Sequence, residues 1–273
     1  MPPFDRFTED FSRYVAFGLV VFLIFQSLRT WGRVLLDYSM GKVWLEKSER
    51  PRATWDRFPE WTALLLVLLM VASQLIPSKG MAERPPMSPI GLAMYLLFSG
   101  GLIALLWGIL ATSGRSILEY GVMFQSFASQ VRDGRDGFYL ALLPTGMLMI
   151  ATSAIRNTDN QNPLLTLLSD ADHIGTVLGI FASAVIFAPL YEELAFRVIL
   201  QGWLSTVMYS TSAILIVAII FAGVHGFTDG IALLPLAGLL GYVFYRRHSY
   251  VSVLVIHGLF NGTMLVLAIL SGK

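Results

Sequence analysis

Of the 273 residues, 55% are hydrophobic and 14% charged. An ordinary soluble domain carries about 25% charged residues, so the composition excludes a water-soluble globule and indicates a polytopic membrane protein. A net charge of +1 offers no polybasic surface for nucleic acid, and the absence of cysteine removes disulfides, thiolate metal sites and cysteine nucleophiles together.

A spanning helix needs about 20 mainly apolar residues. In chain order the candidate spans are 14–28, 61–76, 88–111, 138–155, 174–190, 198–224, 231–245 and 250–270, which predicts an all-α membrane bundle of about eight helices. The first run, Tyr14 to Leu28, is preceded by Asp5, Glu9 and Asp10. Arg29-Thr30-Trp31 follows it without a small-residue cleavage site, so it reads as a retained anchor and not as a signal peptide.

The connection from Arg29 to Glu60 holds seven of the nineteen Lys and Arg, with Trp31, Trp44 and Trp55 suited to the headgroup level. The positive-inside rule places it in the cytoplasm and the N-terminus outside. By alternation 77–87, with Pro77, Pro85 and Pro86, faces out. The segment 113–137, with Arg115, Arg132 and Arg135, faces in, and 156–173 faces out. Ile117 to Val131 is too polar to span and is expected as an amphipathic helix along the surface. The helix from Ile174 then runs back and brings Glu192 near the cytoplasmic face. The run 198–224 is too long for one simple span and is expected to break near Tyr209-Ser210-Thr211-Ser212. Arg246-Arg247-His248 carries a cytoplasmic signature that alternation does not easily deliver, so a short or re-entrant segment is expected within 191–230.

The last third carries the chemistry. Between Ile174 and Tyr245 the only formal charges are Glu192, Glu193, Arg197 and Asp229. A charge at bilayer depth costs roughly 2.5–3.5 kcal/mol on insertion scales, so the cluster at 192–197 needs a partner or a purpose. Glu193 and Arg197 have the spacing and order of a helical ion pair. Glu192, about 100° away round the helix, faces elsewhere without a local cation. A structural pair plus a glutamate at the water boundary explains this motif equally well when it is taken alone.

Phe221-Ala222-Gly223-Val224-His225 places Phe221 and His225 on one helix face, and His257-Gly258-Leu259-Phe260-Asn261 does the same for His257 and Asn261. A single histidine of this kind is more often a satisfied core residue. Asn and His also serve as glue between membrane helices, and Gly258 and Gly262 would permit close packing. Joint occurrence is the stronger signal: three helices each bring an acid or an imidazole to membrane depth.

In this order on successive helices, Glu192-Glu193-x-x-x-Arg197, Phe221-x-x-x-His225 and His257-x-x-x-Asn261 resemble the CPBP family. That family comprises the CAAX prenyl endopeptidases and the bacteriocin-processing or self-immunity (Abi) proteins. Ala188-Pro189-Leu190 and Phe196-Arg197 frame the first motif, and Gly241-Tyr242-Val243-Phe244-Tyr245-Arg246-Arg247 precedes the last helix. Val198 stands where many members have glycine. The resemblance covers roughly 174–265 and divides the chain into N-terminal membrane helices (1–173) and a catalytic helical core (174–273) within one integrated membrane domain.

The resemblance implies an intramembrane glutamate endopeptidase of a prokaryotic plasma membrane. Glu192 would be general base for a water, helped by His225. His257 and Asn261 would stabilise the oxyanion, and Glu193, Arg197 and Phe221 would be structural support. It implies no cofactor, with zinc on Glu192, His225 and His257 as the less favoured alternative. The expected partners are the lipid bilayer and a membrane-associated peptide or protein substrate, with no nucleic acid.

Other protease chemistries lack their motifs: there is no His-Glu-x-x-His, no Gly-x-Gly-Asp and no Gly-x-Ser-x-Gly. A proton-coupled transporter is a second reading, against which no inverted repeat is visible. A non-catalytic membrane scaffold or immunity-type protein is a third, in which the motif residues only hold helices together.

Overall fold

The computed structural model describes residues 3–75, 87–155, 163–169, 171 and 173–271. The loop expected at 77–87 lies outside these residues except for Met87, as does 156–162 of the loop expected at 156–173. Among the described residues all regular structure is helical. The helices are α1 (Pro3–Ser39), α2 (Phe58–Leu75), α3 (Pro89–Ala111), α4 (Phe127–Ala151), the short α5 (Pro163–Ser169), α6 (Ile174–Val207), α7 (Ser210–Val224), α8 (Phe227–Arg247) and α9 (Tyr250–Leu270).

Six of them, α1, α2, α3, α6, α8 and α9, are long and apolar enough to cross a membrane. The other two expected spans are met by α4, whose first turns carry Arg132, Asp133, Arg135 and Asp136, and by α7, which has only 15 residues. Large apolar side chains such as Leu65, Leu97, Phe98, Leu178 and Ile219 point outward, as a surface bathed in lipid tails permits.

Helix α4 packs against α1, α8 and α9. Glycine makes the close approach to α9 feasible. A Cβ on Gly134 would lie 2.7 Å from the Ser252 carbonyl oxygen, and one on Gly137 would lie 2.7 Å from Ile256.

Helix α6 is where the chain departs most from the expected spans. It does not stop at residue 190 but runs unbroken through the charges to Val207, a single helix of 34 residues. Glu192 is therefore mid-helix, about 22 Å from the Val207 end at 1.5 Å per residue. Two stretches, Ala182–Phe187 and Leu194–Gln201, are wound as wider π turns on either side of the glutamate pair.

The expected break falls at Met208–Tyr209, where Met208 is extended. The short segment expected within 191–230 is α7. The chain reverses at Gly226, whose φ of +85° suits glycine, and α8 returns to the basic end. There the Arg246 Nε donates to the Leu45 carbonyl (2.7 Å), and Arg247 pairs with Asp133 at 2.6 Å. Arg246 and Arg247 thus share one end of the bundle with the basic connection 29–60.

The reversal is tight. A Cβ at Gly230 would meet the Ala222 carbonyl oxygen at 2.2 Å. Gly230→Ala is expected to destabilise the fold by about 1–3 kcal/mol, the usual cost of forcing atoms into a packed contact. A lowered unfolding midpoint in detergent checks this. A variant as stable as the parent would show that α7 and α8 are not held this close.

The surface helix expected over 117–131 is absent. Ile117–Tyr120 forms one 3-10 turn with a reciprocal Ser116–Glu119 capping box, 121–126 is irregular, and 127–131 already belongs to α4. The reason is a polar node that draws this segment inward. Arg115 binds Glu60 (2.5 Å), Glu119 (3.2 Å) and Asp56. The fully buried Glu60 also accepts from the Tyr120 hydroxyl at 2.9 Å. Burial, with Glu60 beside it, pushes the Tyr120 phenol up to about 12.

Candidate active site

Three helices bring six of the motif residues together: α6 with Glu192, Glu193 and Arg197, the end of α7 with Phe221 and His225, and α9 with His257, while Asn261 lies one turn further along α9. The site has a closed half and an open half. Glu193 and Arg197 are fully buried and the His257 side chain is 4% exposed, whereas Glu192 and His225 are 21% and 30% exposed. Glu192 and His225 are thus the partly open members of the group, although Glu192 Oε2 itself is buried and has no hydrogen-bond partner.

In the closed half, Glu193 Oε2 lies 3.3 Å from Arg197 Nε, as the i, i+4 spacing predicts. The guanidinium also sits 4.5 Å above the centre of the Phe221 ring. Its Nη2 reaches the Ala237 carbonyl at 3.4 Å. A buried charge needs all its partners, and here carboxylate, ring face and carbonyl share that task.

The other oxygen of Glu193 accepts from His257 Nδ1 at 2.7 Å. That bond spans 64 positions of sequence and was not legible in the motifs. It fixes the imidazole plane and turns Nε2 outward, as second partners of catalytic histidines do.

In the open half, Glu192 Oε2 lies 3.8 Å from His225 Nε2 and 3.8 Å from His257 Nε2. The two glutamates thus both address His257, through its two ring nitrogens, although their directions on α6 diverge. His225 Nδ1 lies 2.7 Å from the Phe221 carbonyl oxygen. A carbonyl can only accept, so Nδ1 carries a proton, and Nε2 is the ring nitrogen turned to Glu192.

Phe221 joins the halves. Its ring packs edge-on against Phe196 (5.1 Å) and His257 (5.9 Å) and lies 4.5 Å from His225. Asn261 Nδ2 donates to the Ala184 carbonyl at 2.8 Å, tying α9 to the first π stretch of α6.

Sequence reasoning passed over two tyrosines. Tyr95 on α3 hydrogen-bonds with Ser99 and lies within electrostatic reach of Glu192, and so does Tyr191. A lone tyrosine in an apolar run carries no spacing signal, so only the packing of α3 against α6 shows them. The Tyr250 hydroxyl donates to the Leu190 carbonyl and pins the turn before the glutamates to α9. Among the described residues, no three His, Asp or Glu side chains are grouped as metal ligands would be.

Residues 174–263 match the family model of Rce1-like proteins, type II CAAX prenyl endopeptidases. The matched segment contains every motif residue above. No curated protein and no solved structure matches the chain.

Proposed function

We propose, for a chain that residues 174–263 place among the Rce1-like type II CAAX prenyl endopeptidases of the CPBP family, that Glu192 and His225 activate a water for peptide-bond hydrolysis within the membrane. The family is one of membrane endopeptidases, and the multi-pass helical bundle fits it. The observation that carries the mechanism is the placement of two imidazole Nε2 atoms at 3.8 Å from one carboxylate oxygen of Glu192. That separation is too long for a direct hydrogen bond and lies within reach of one water set off the line between them.

With the His225 ring neutral, its Nε2 and the carboxylate of Glu192 are both acceptors. A water between them donates one O–H to each, which directs its lone pair at a substrate carbonyl. Glu192 takes the proton as the oxygen attacks. The negative charge that develops on the carbonyl oxygen is met by His257 acting as an imidazolium, with Nδ1–H held by Glu193 and Nε2–H directed at the oxyanion, and by the second N–H of the Asn261 amide. The proton on Glu192 then passes to the departing amine. Glu193, Arg197 and Phe221 act as positioning residues through His257. The partners are the bilayer and a membrane-associated peptide, a prenylated C-terminal segment being the substrate class that the family name carries.

This chemistry uses side chains alone. Cleavage of a quenched fluorescent peptide by purified protein in liposomes is expected to survive a zinc chelator, and His225→Ala is expected to lower kcat about 100-fold or more. Loss of activity on chelation, restored by zinc, would instead make Glu192, His225 and His257 metal ligands. Full activity of His225→Ala would remove it from the mechanism.

A further inference from the structure

A cavity of about 200 Å³ lies outside this site at the basic end of the bundle. It is framed by the last turns of α6, the start of α7, the end of α8 and the segment 47–55. On α6 it continues the face of Glu193 and Arg197 one and two turns further on, at Gln201 and Ser205. The fully buried Arg197 lies between the two sites, so the peptidase reading neither uses this cavity nor depends on it.

Its chemistry is that of an anion site. Lys47 Nζ and the Arg52 guanidinium stand 5.1 and 5.4 Å from the centre of the Tyr245 ring. The Arg52 Nη2 donates to the Tyr245 carbonyl. The one acid in the lining, Glu119, is already engaged, Oε2 by Arg115 and Oε1 by the Ser116 N–H. Burial first, and then Arg52 and Arg50, lower His248 to about 4, so it stays neutral at pH 7. Two cations therefore share the cavity without a carboxylate free to answer them.

Two further observations are independent of these charges. The 15-residue α7 starts at Ser210 in the cavity wall, with no side chain capping its first N–H groups, so its positive end faces inward. Gln201 is 1% exposed, and while its Nε2 donates to the Gly241 carbonyl at 2.9 Å, its Oε1 has no partner. A buried acceptor of this kind calls for a donor.

We propose that this cavity binds a phosphate group that also carries a hydroxyl, the phosphate between Lys47, Arg52 and the α7 N-terminus and the hydroxyl on Gln201 Oε1. Two sources share that chemistry: a hydroxylated anionic phospholipid headgroup and free hydrogen phosphate. The place favours the first. The cavity sits where α6 and α8 leave the apolar span, beside the exposed Val207 and Tyr209, at the level where aromatic residues meet headgroups. Basic pockets between membrane helices at this depth are the usual seat of such headgroups. A water's share of liquid volume is about 30 Å³, so the space equals about six or seven waters, enough for a phosphate and part of a glycerol.

The test uses the full chain in neutral detergent, titrated at constant ionic strength with short-chain phosphatidylglycerol, with short-chain phosphatidylcholine and with inorganic phosphate. Binding is read by native mass spectrometry and by the unfolding midpoint. The parent is expected to hold phosphatidylglycerol at least tenfold more tightly than phosphatidylcholine, and Lys47→Gln/Arg52→Gln to lose at least tenfold. Lys47→Glu, at an exposed residue, is the second variant should the Arg52 change impair folding, and it is expected to weaken binding in the same direction. A response to inorganic phosphate that these variants abolish, without lipid preference, keeps the site and assigns it to the soluble anion. Equal binding of the two lipids with no response to phosphate overturns the proposal, as does unchanged binding by folded Lys47→Glu.

Discussion

Glu192→Gln is expected to reduce peptide cleavage by about 1,000-fold or more, within the range general acid–base groups contribute, while the protein inserts and folds as before. Glutamine keeps the volume and one carbonyl oxygen but cannot take a proton from water. The substitution also removes a negative charge 3.8 Å from two imidazoles, so the loss should fall on kcat more than on KM. Glu192 is partly exposed and pairs with no Lys or Arg, so the unfolding midpoint should hardly move. Measured side by side in liposomes, undiminished cleavage by Glu192→Gln would remove the residue from the reaction.

The opposite pattern is expected one residue away. Arg197→Met leaves the fully buried Glu193 carboxylate without its cation and should cost about 3–5 kcal/mol, the usual penalty for stranding half of a buried pair. Adding Glu193→Gln should return much of that stability, because the stranded charge is gone and the packing against Phe221 is largely kept. Activity should not return with it. His257 Nδ1 would then face an amide in place of the carboxylate that now sits 2.7 Å away, and its Nε2 would be held less firmly. Unfolding midpoints and kcat for the two single variants and the double variant separate these effects. An additive double variant would show that Glu193 and Arg197 are not coupled, and one that regains full activity would show that Glu193 does not act through His257.

The contrast between these two glutamates shows where sequence is informative and where it stops. The Glu193–Arg197 pair is local, four residues along one helix, and spacing alone foretells it. The helical bundle follows from long apolar runs, and the break at Met208–Tyr209 follows from four polar residues in one such run. The apolar run 174–190 puts Glu192 just beyond the end of a span. In the structure α6 passes straight through the charges, since α7 and α9 supply imidazoles that make them tolerable at depth. The Glu193–His257 bond was illegible for a related reason. Two side chains that diverge on a helix can still meet one ring when that ring offers a nitrogen on each edge, and only packing shows that it does. The segment 117–131 misled because its amphipathic pattern is shared by a surface helix and by a polar turn drawn in by Arg115.

The π winding of α6 makes the chain intolerant of length change at this place. A π turn holds one more residue than an α turn over the same hydrogen-bonded loop, and Leu194–Gln201 is wound in this way directly after the glutamates. Deleting one residue there would let the helix relax to an ordinary α register without breaking it. Side chains beyond Gln201 would keep their directions relative to Glu192 and Glu193, because a π turn is one residue added to an α-helix, and only those inside the stretch would change register. Arg197 and Gln201 lie inside it, so their contacts with Glu193 and Gly241 are the ones at stake, while hydropathy and helix content stay nearly the same. The spacing of these residues is thus a constraint of count as well as of kind.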